Sequence, residues 1–283
     1  LGGISVLDIL QKLGLPINAS VHGGAVDEVL SMFHWLMLFL FIGWGLFFLY
    51  TLYRFSASKN PKADYDGVKS HLSSGLEVAV ALIEFVILIG FALPIWANRV
   101  NDVPNQADGA EVIRVVAQQF AWNIHYPGAD GLFGNVDVNL VDEESNPVGL
   151  DKNDPNSADD IITINQLHIP VDKPIRIDLS SKDVIHSFFL PEFRVKQDAI
   201  PGMSIPISFE ATMTSDSYLK SIKGTEREGR GFEIACAQLC GLGHYRMQGF
   251  MTVHSEESYV AWQDKQAQIL LEEDDDEWGD DDW

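Results

Sequence analysis

Two long apolar runs near the N-terminus constrain this chain more than any other feature. Residues 29–53 and 76–96 are apolar almost throughout, and about 20 apolar residues suffice for a helix to cross a bilayer. Tyrosines and tryptophans near the ends of the runs suit the membrane–water interfaces. We therefore predict a transmembrane helical hairpin over 29–96, preceded by an outer segment over 1–28.

Basic residues orient the predicted hairpin. Most of those near the two runs lie in the loop between them: Arg54, Lys59, Lys62 and Lys69. Cytoplasmic loops of membrane proteins carry the excess of Lys and Arg, so this loop is predicted to be cytoplasmic. The N-terminus and everything after Trp96 then lie outside.

The rest of the chain is predicted to be mostly β-structure. Short runs of β-branched residues separated by turn residues over 110–255 indicate a sandwich or barrel. A helix is predicted over 256–271, so this domain spans 97–271. The tail, 272–283, holds nine carboxylates and is predicted to be disordered. The predicted strands include 112–116, 136–140, 161–164, 175–179 and 205–209.

The net charge of −22 narrows the class of partner. Such an acidic chain repels nucleic acid, and it attracts cationic partners. We therefore expect no nucleic-acid binding.

One short segment carries the chemistry. The only two cysteines, Cys236 and Cys240, are followed by His244 and Met247. Thiolate, imidazole and thioether form a soft ligand set that suits copper better than magnesium or calcium. Blue-copper sites use one thiolate, whereas two thiolates on one loop can bridge a pair of copper ions. A second imidazole can come from His186.

Two other interpretations of the cysteines compete with copper. In an oxidising compartment two cysteines most often form a disulfide, and the Cys-x-x-x-Cys spacing alone favours that. The histidine and methionine at fixed offsets favour copper instead. A c-type haem is excluded, because Cys-x-x-Cys-His does not occur.

With these residues the chain resembles subunit II of haem–copper oxygen reductases of the cytochrome c oxidase type. The resemblance runs from the first apolar run to about residue 265. It depends on the two predicted spans, on His186 before Phe-Phe-Leu-Pro, on the run Val195–Gly202 and on the loop Cys236–Met247.

The resemblance implies a membrane-anchored α+β protein: a two-helix transmembrane hairpin followed by a cupredoxin-like Greek-key β-barrel. The barrel would carry the dinuclear copper centre CuA, which takes electrons from cytochrome c and passes them to haem on subunit I, where oxygen is reduced to water. Further haems and CuB are expected on subunit I only. The implied copper ligands are His186, Cys236, the backbone carbonyl of Gln238, Cys240, His244 and Met247.

The same resemblance implies the surroundings of the chain. We expect a proton-pumping oxidase in a bacterial cytoplasmic membrane, with the CuA domain on the periplasmic face. Expected partners are subunit I, subunit III, membrane lipid and a cytochrome c or c-type cytochrome subunit. A quinol oxidase subunit II lacks these copper ligands. A membrane-anchored copper-delivery protein of cupredoxin fold and a structural module with a disulfide remain the alternatives.

The chain departs from the family pattern at two functional positions. Gln238 stands where many relatives have a glutamate that also binds Mg²⁺; hard cations prefer carboxylate oxygen, which argues against magnesium here. The usual tryptophan that receives electrons aligns with Phe120. We expect Phe120 to mark where electrons enter. Trp122, two residues on, would point to the same face of a strand, and it could share that role or pack in the core beneath the copper loop.

Two carboxylates lie in the second apolar run. Glu77 stands at its cytoplasmic end, where relatives have a glutamate at the mouth of the K proton channel of subunit I, so a role in proton uptake is expected. Glu84 lies on nearly the same helix face, roughly 10 Å further along. A carboxylate at that depth is costly unless paired, and both proton relay and structural hydrogen bonding remain open for it.

Overall fold

The structure is a computed structural model that describes residues 5–62, 65–67 and 69–277. It divides into two compact units. The first is helical and comprises Leu1–Leu15 with Gly24–Asn98. The second holds the β-sheets and comprises Pro16–Gly23 with Arg99–Trp283. The segment 16–23, predicted as part of an outer N-terminal region, thus belongs with the sheets.

The helical unit contains both predicted spans. Each helix extends beyond its apolar run, because backbone hydrogen bonding continues through the flanking polar turns. Among the described residues, Gly23–Arg54 and Leu72–Asn101 are long and apolar enough to cross a membrane. The elements are α1 (Val6–Lys12), α2 (Gly23–Arg54), α3 (Leu72–Ile87), a π-helical turn (Leu88–Ala92) and α4 (Leu93–Asn101).

The second unit contains two five-stranded sheets in the orders β3-β2-β1-β5-β8 and β4-β10-β9-β6-β7. Parallel pairing joins β1 to β5 and β4 to β10. The predicted cupredoxin-like fold is confirmed. The strands are β1 (Glu111–Gln118), β2 (Ala121–Tyr126), β3 (Ile161–Ile164), β4 (Gln166–Pro170), β5 (Pro174–Ser181), β6 (His186–Leu190), β7 (Val195–Ala199), β8 (Ile205–Glu210), β9 (Phe232–Cys236) and β10 (Gln248–His254).

One predicted strand is wrong. The run 136–140 lies in the long connection between β2 and β3, where Val138–Leu140 form a 3-10 turn. The Asp137 side chain accepts a hydrogen bond from the Asn139 N–H, and such local side-chain bonds compete with strand pairing. The other four predicted strands fall within β1, β3, β5 and β8.

The hydrophobic core lies between the two sheets. Trp122 on β2 is fully buried, and its ring meets that of Phe188 on β6 edge-on at 5.3 Å between centroids. The core also contains a second group of packed aromatic rings, in which Phe232 contacts both Phe193 and Tyr218. Inward side chains alternate along β5, as expected for a strand that covers a core on one face.

A short helix, α5 (Ser215–Ser221), lies between β8 and β9, and the C-terminal helix α6 (Glu256–Glu277) packs against β4 and β10. Trp262 stacks on His168 at 4.4 Å, and His168 Nδ1 lies 2.8 Å from His254 Nε2. Burial, together with the neighbouring His254, lowers the pKa of His168 to about 4. Burial also lowers the pKa of His254. The helix continues to Glu277, past the predicted end at residue 271. Residues 278–283 of the predicted disordered tail lie outside the described residues.

Trp122 offers a direct test of the core. Its indole Nε1 has no hydrogen-bond partner among the described residues, so the ring contributes through packing. We expect Trp122→Ala to lower the free energy of unfolding by about 3–5 kcal/mol. Trp122→Phe, which keeps an aromatic ring, should cost clearly less. Thermal denaturation of the purified full chain in detergent measures both, and equal stability of Trp122→Ala and the native protein would contradict this packing.

Candidate copper centre

The predicted ligands meet at one end of the barrel because three strands bring them there. β6 pairs antiparallel with β9, and Phe188 faces Cys236 in their register. His186, two residues before Phe188, therefore lies beside the loop that follows Cys236. That loop is closed by β10, whose Gln248 pairs with Ala235 of β9.

The donor atoms of these residues lie a few ångströms apart. His186, Cys236 and Cys240 form a group that could hold a metal ion. From Cys236 Sγ the distances are 3.8 Å to Cys240 Sγ, 3.9 Å to His186 Nδ1 and 3.2 Å to the Gln238 carbonyl oxygen. From Cys240 Sγ they are 3.6 Å to His244 Nδ1 and 3.7 Å to Met247 Sδ.

The two sulfurs are not joined. A disulfide requires an S–S distance of about 2.05 Å, and both cysteines are free thiols. Cys240 and Met247 are buried, whereas Cys236 is partly exposed. Soft donors gathered around one small space fit copper, and this arrangement does not fit magnesium or calcium.

The two thiols have different electrostatic surroundings. Burial raises the pKa of Cys236, but hydrogen bonds with His186 and with the backbone at Ser187 and Gln238 outweigh it and lower the pKa to about 6. Burial and the neighbouring Cys236 raise the pKa of Cys240 to about 11.

Asp183 orients His186, a role that the sequence alone did not suggest. Its carboxylate accepts a hydrogen bond from His186 Nε2 at 2.9 Å. The same carboxylate accepts bonds from the backbone N–H groups of Gln119 and Val184. With Nε2 donating to Asp183, Nδ1 is the ring nitrogen of His186 that faces the Cys236 sulfur. Such partners commonly fix the tautomer of a metal-binding histidine.

Gln119 and Phe120 contact the ligand loop from the turn between β1 and β2. The Gln119 side-chain amide donates to the Cys240 carbonyl oxygen at 2.6 Å. The half-buried Phe120 ring packs on Gly241 and Gly243. The expectation that Phe120 shares a strand with Trp122 is wrong, because β1 ends at Gln118 and β2 begins at Ala121.

The other candidate residues, Trp122, Glu77 and Glu84, lie outside the cluster of donor atoms. Trp122 is fully buried and lies 6.2 Å from the His186 ring, centroid to centroid, so it packs beneath the ligands and cannot touch a docking protein. Glu77 and Glu84 belong to α3 in the helical unit and take no part in the donor cluster.

A β-barrel with two free thiols, two imidazoles and a thioether at one end, following two apolar helices, defines a membrane-anchored copper protein of electron transfer. A family model described as cytochrome c oxidase subunit II, periplasmic domain, matches residues 111–253. The chain belongs to the cytochrome c oxidase subunit II family. Family membership implies a CuA centre and a place beside subunit I in an oxidoreductase complex, and it disfavours a copper-delivery protein.

Two relatives found by sequence agree with this assignment, and one solved structure is similar over part of the chain. The chain is 34% identical to the alternative cytochrome c oxidase subunit 2 of Bradyrhizobium diazoefficiens over 87% of this chain and 82% of that protein. It is 28% identical to cytochrome c oxidase subunit 2 of Cereibacter sphaeroides over 84% and 77% of the two chains. A solved structure, the periplasmic domain of subunit II of cytochrome oxidase from Bradyrhizobium japonicum, shares 26% identity over 60% of this chain and 99% of that one, with a TM-score of 0.39.

Removal of either thiol tests the donor cluster. Cys236→Ser and Cys240→Ser should abolish the mixed-valence optical and electron paramagnetic resonance spectrum of a copper pair, because each removes one of the two thiolates that such a pair would need. Gln238→Ala is the matched control: its side chain is exposed and only its backbone oxygen faces Cys236, so copper content should stay native. Metal analysis of the purified complex decides, and a native spectrum in Cys236→Ser would refute the cluster.

Proposed function

We propose that this chain receives single electrons from a c-type cytochrome and delivers them to haem on subunit I of a proton-pumping cytochrome c oxidase. The observation that most supports this proposal is that the possible ligand atoms of His186, Cys236 and Cys240 all lie within 4.8 Å of one another. When bound, a thiolate-bridged copper pair supplies reversible one-electron chemistry with little change in geometry. Oxygen would be reduced to water on subunit I, which would hold the haems and CuB.

The chain's own residues would hold that copper pair. Cys236 and Cys240 would supply the two thiolates, with His186 Nδ1 and His244 Nδ1 as the imidazole donors. The remaining donors are the Met247 thioether and the Gln238 backbone carbonyl. Burial would keep water from Cys240 and Met247, and Asp183 would keep His186 in the required tautomer.

The surface around the ligand loop supports contact with other proteins. Leu239, Leu242 and Tyr245 are 77%, 98% and 87% exposed. Apolar side chains clustered at a loop tip are typical of protein interfaces. We propose that subunit I covers part of this surface and that a cytochrome c or c-type cytochrome subunit docks nearby, with subunit III and lipid around the helices. The neutral Gln238 side chain argues against Mg²⁺ at that border.

The location follows from the orientation of the hairpin. Its basic loop would face the cytoplasm, so the barrel would lie on the periplasmic face of a bacterial cytoplasmic membrane. The chain's net charge of −22 would attract a basic donor there.

Phe120 is our candidate for the contact through which electrons enter. It lies in the exposed turn between β1 and β2, and its ring touches the loop that carries His244. Trp122 has no access to a donor, so its part is to support the ligands from the core.

Replacement of Phe120 tests the route of the electron. Phe120→Ala should slow reduction of the copper centre by the native cytochrome donor while the copper spectrum stays native. Phe250→Ala, which removes an exposed ring on β10, is the control and should leave the rate unchanged. Stopped-flow spectroscopy of the purified complex measures the rate. An unchanged rate in Phe120→Ala would move the docking contact elsewhere.

Glu77 is our candidate for proton uptake from the cytoplasmic side, because it lies near the cytoplasmic end of α3. Glu77→Gln should slow the proton-coupled steps of oxygen reduction in vesicle-embedded complex and leave the copper spectrum intact. Glu84→Gln is the paired variant: loss of assembled complex would indicate a structural hydrogen bond there. Native turnover in Glu77→Gln would show that Glu77 is only a helix-end charge.

A further inference from the structure

Gly243 is a glycine that its backbone does not require. Its φ of −92° and ψ of 6° are open to residues with side chains. Gly241, two residues earlier, has φ +135°, where glycine is strongly favoured. The absence of a side chain at position 243 therefore calls for an explanation in its surroundings.

The Phe120 ring occupies the space where a side chain of residue 243 would be. A Cβ added to Gly243 would lie 2.4 Å from Phe120 Cδ2, 2.6 Å from Cε2 and 2.7 Å from Cγ. Since Cβ is bonded to Cα at about 1.5 Å, the ring lies at most about 4 Å from the Gly243 Cα. Gly243 itself is buried, and it directly precedes His244.

The ring is also held from other directions. A Cβ on Gly241 would lie 3.2 Å from Phe120 Cζ, so the far end of the ring rests on that residue too. The guanidinium carbon of Arg246 lies 5.9 Å from the ring centroid, within the range of a cation–π contact. The Phe120 ring thus packs on the backbone of the ligand loop at Gly241 and Gly243 and has Arg246 of the same loop beside it.

We propose that Gly243 is a positioning residue, whose missing side chain lets the Phe120 ring contact the backbone that leads into His244. This inference rests on the proposed function, in which a donor docks on Phe120. One electron leaves the ferrous haem of the cytochrome donor, which becomes ferric, and the copper pair gains that electron. The step moves no proton and breaks no bond, so its rate depends on how closely the intervening groups pack.

The test is a double-mutant cycle in the assembled, copper-loaded complex. Gly243→Ala should displace the ring and slow reduction by the native cytochrome by about tenfold or more, since shifts of about 1 Å at a reacting contact change rates by up to 10²-fold. In the Phe120→Ala background the added methyl group should have almost no further effect, because the ring that it displaces is gone. Gly231→Ala is the matched control: that glycine has open space around it.

A second readout does not depend on electron transfer. Gly243→Ala should lower the melting temperature of the complex when Phe120 is present, and Phe120→Ala should relieve the loss. If Gly243→Ala fails to load copper, the double variant should load it again, because the methyl group then has room. A rate or melting temperature that Gly243→Ala lowers equally in both backgrounds would overturn the proposal, as would a double variant that still fails to load.

The double-mutant cycle distinguishes the positioning role of Gly243 from the proposed entry of electrons at Phe120. If Phe120→Ala alone leaves the rate unchanged, electrons do not enter at Phe120, and both the entry role of Phe120 and the positioning role of Gly243 are rejected. If Phe120→Ala slows reduction while Gly243→Ala does not, the docking contact stands and the positioning role of Gly243 is rejected.

Discussion

The whole site depends on keeping two thiol sulfurs 3.8 Å apart, near enough to share metal ions and too far apart to bond to each other. The barrel imposes this separation from both sides. β9 and β10 pair antiparallel on either side of the loop, which fixes its two ends. The buried Cys240 is tied by its carbonyl to Gln119, and β6 brings His186 alongside. Without those restraints, two cysteines four residues apart could bring their sulfurs close enough to form a disulfide.

The same restraints link the core to the candidate copper ligands. Trp122 and Phe188 fill the space between the sheets directly beneath His186. Asp183 then fixes the direction of that imidazole through a hydrogen bond and is itself held by backbone N–H groups. A change in the core near Trp122 would therefore tilt the His186 ring. The rigidity of the site thus depends on side chains packed several ångströms away from it.

Local patterns in the sequence predicted much of this, and contacts between distant segments account for the rest. The spans follow from apolar length, and the loop ligands follow from spacing within one segment. The run 136–140 misled, because alternating Val and Asp suit a strand while Asp137 bonds its own neighbour. The residues that support the site were not predicted. Gln119 donates a hydrogen bond to Cys240, 121 positions away, and no local sequence pattern indicates such a contact. Gly243 is likewise explained only by the Phe120 ring from another turn.

The long separation between His186 and the cysteines has a consequence for how the protein matures. His186 lies 50 residues before Cys236, and the two approach only after β6 has paired with β9. Non-local pairings of this kind form late, because the intervening chain must first be closed into a loop. A newly exported chain thus passes through an interval in which both thiols are present without the imidazole that completes their site. In that interval the two thiols would be open to oxidation before the site that holds them apart is complete.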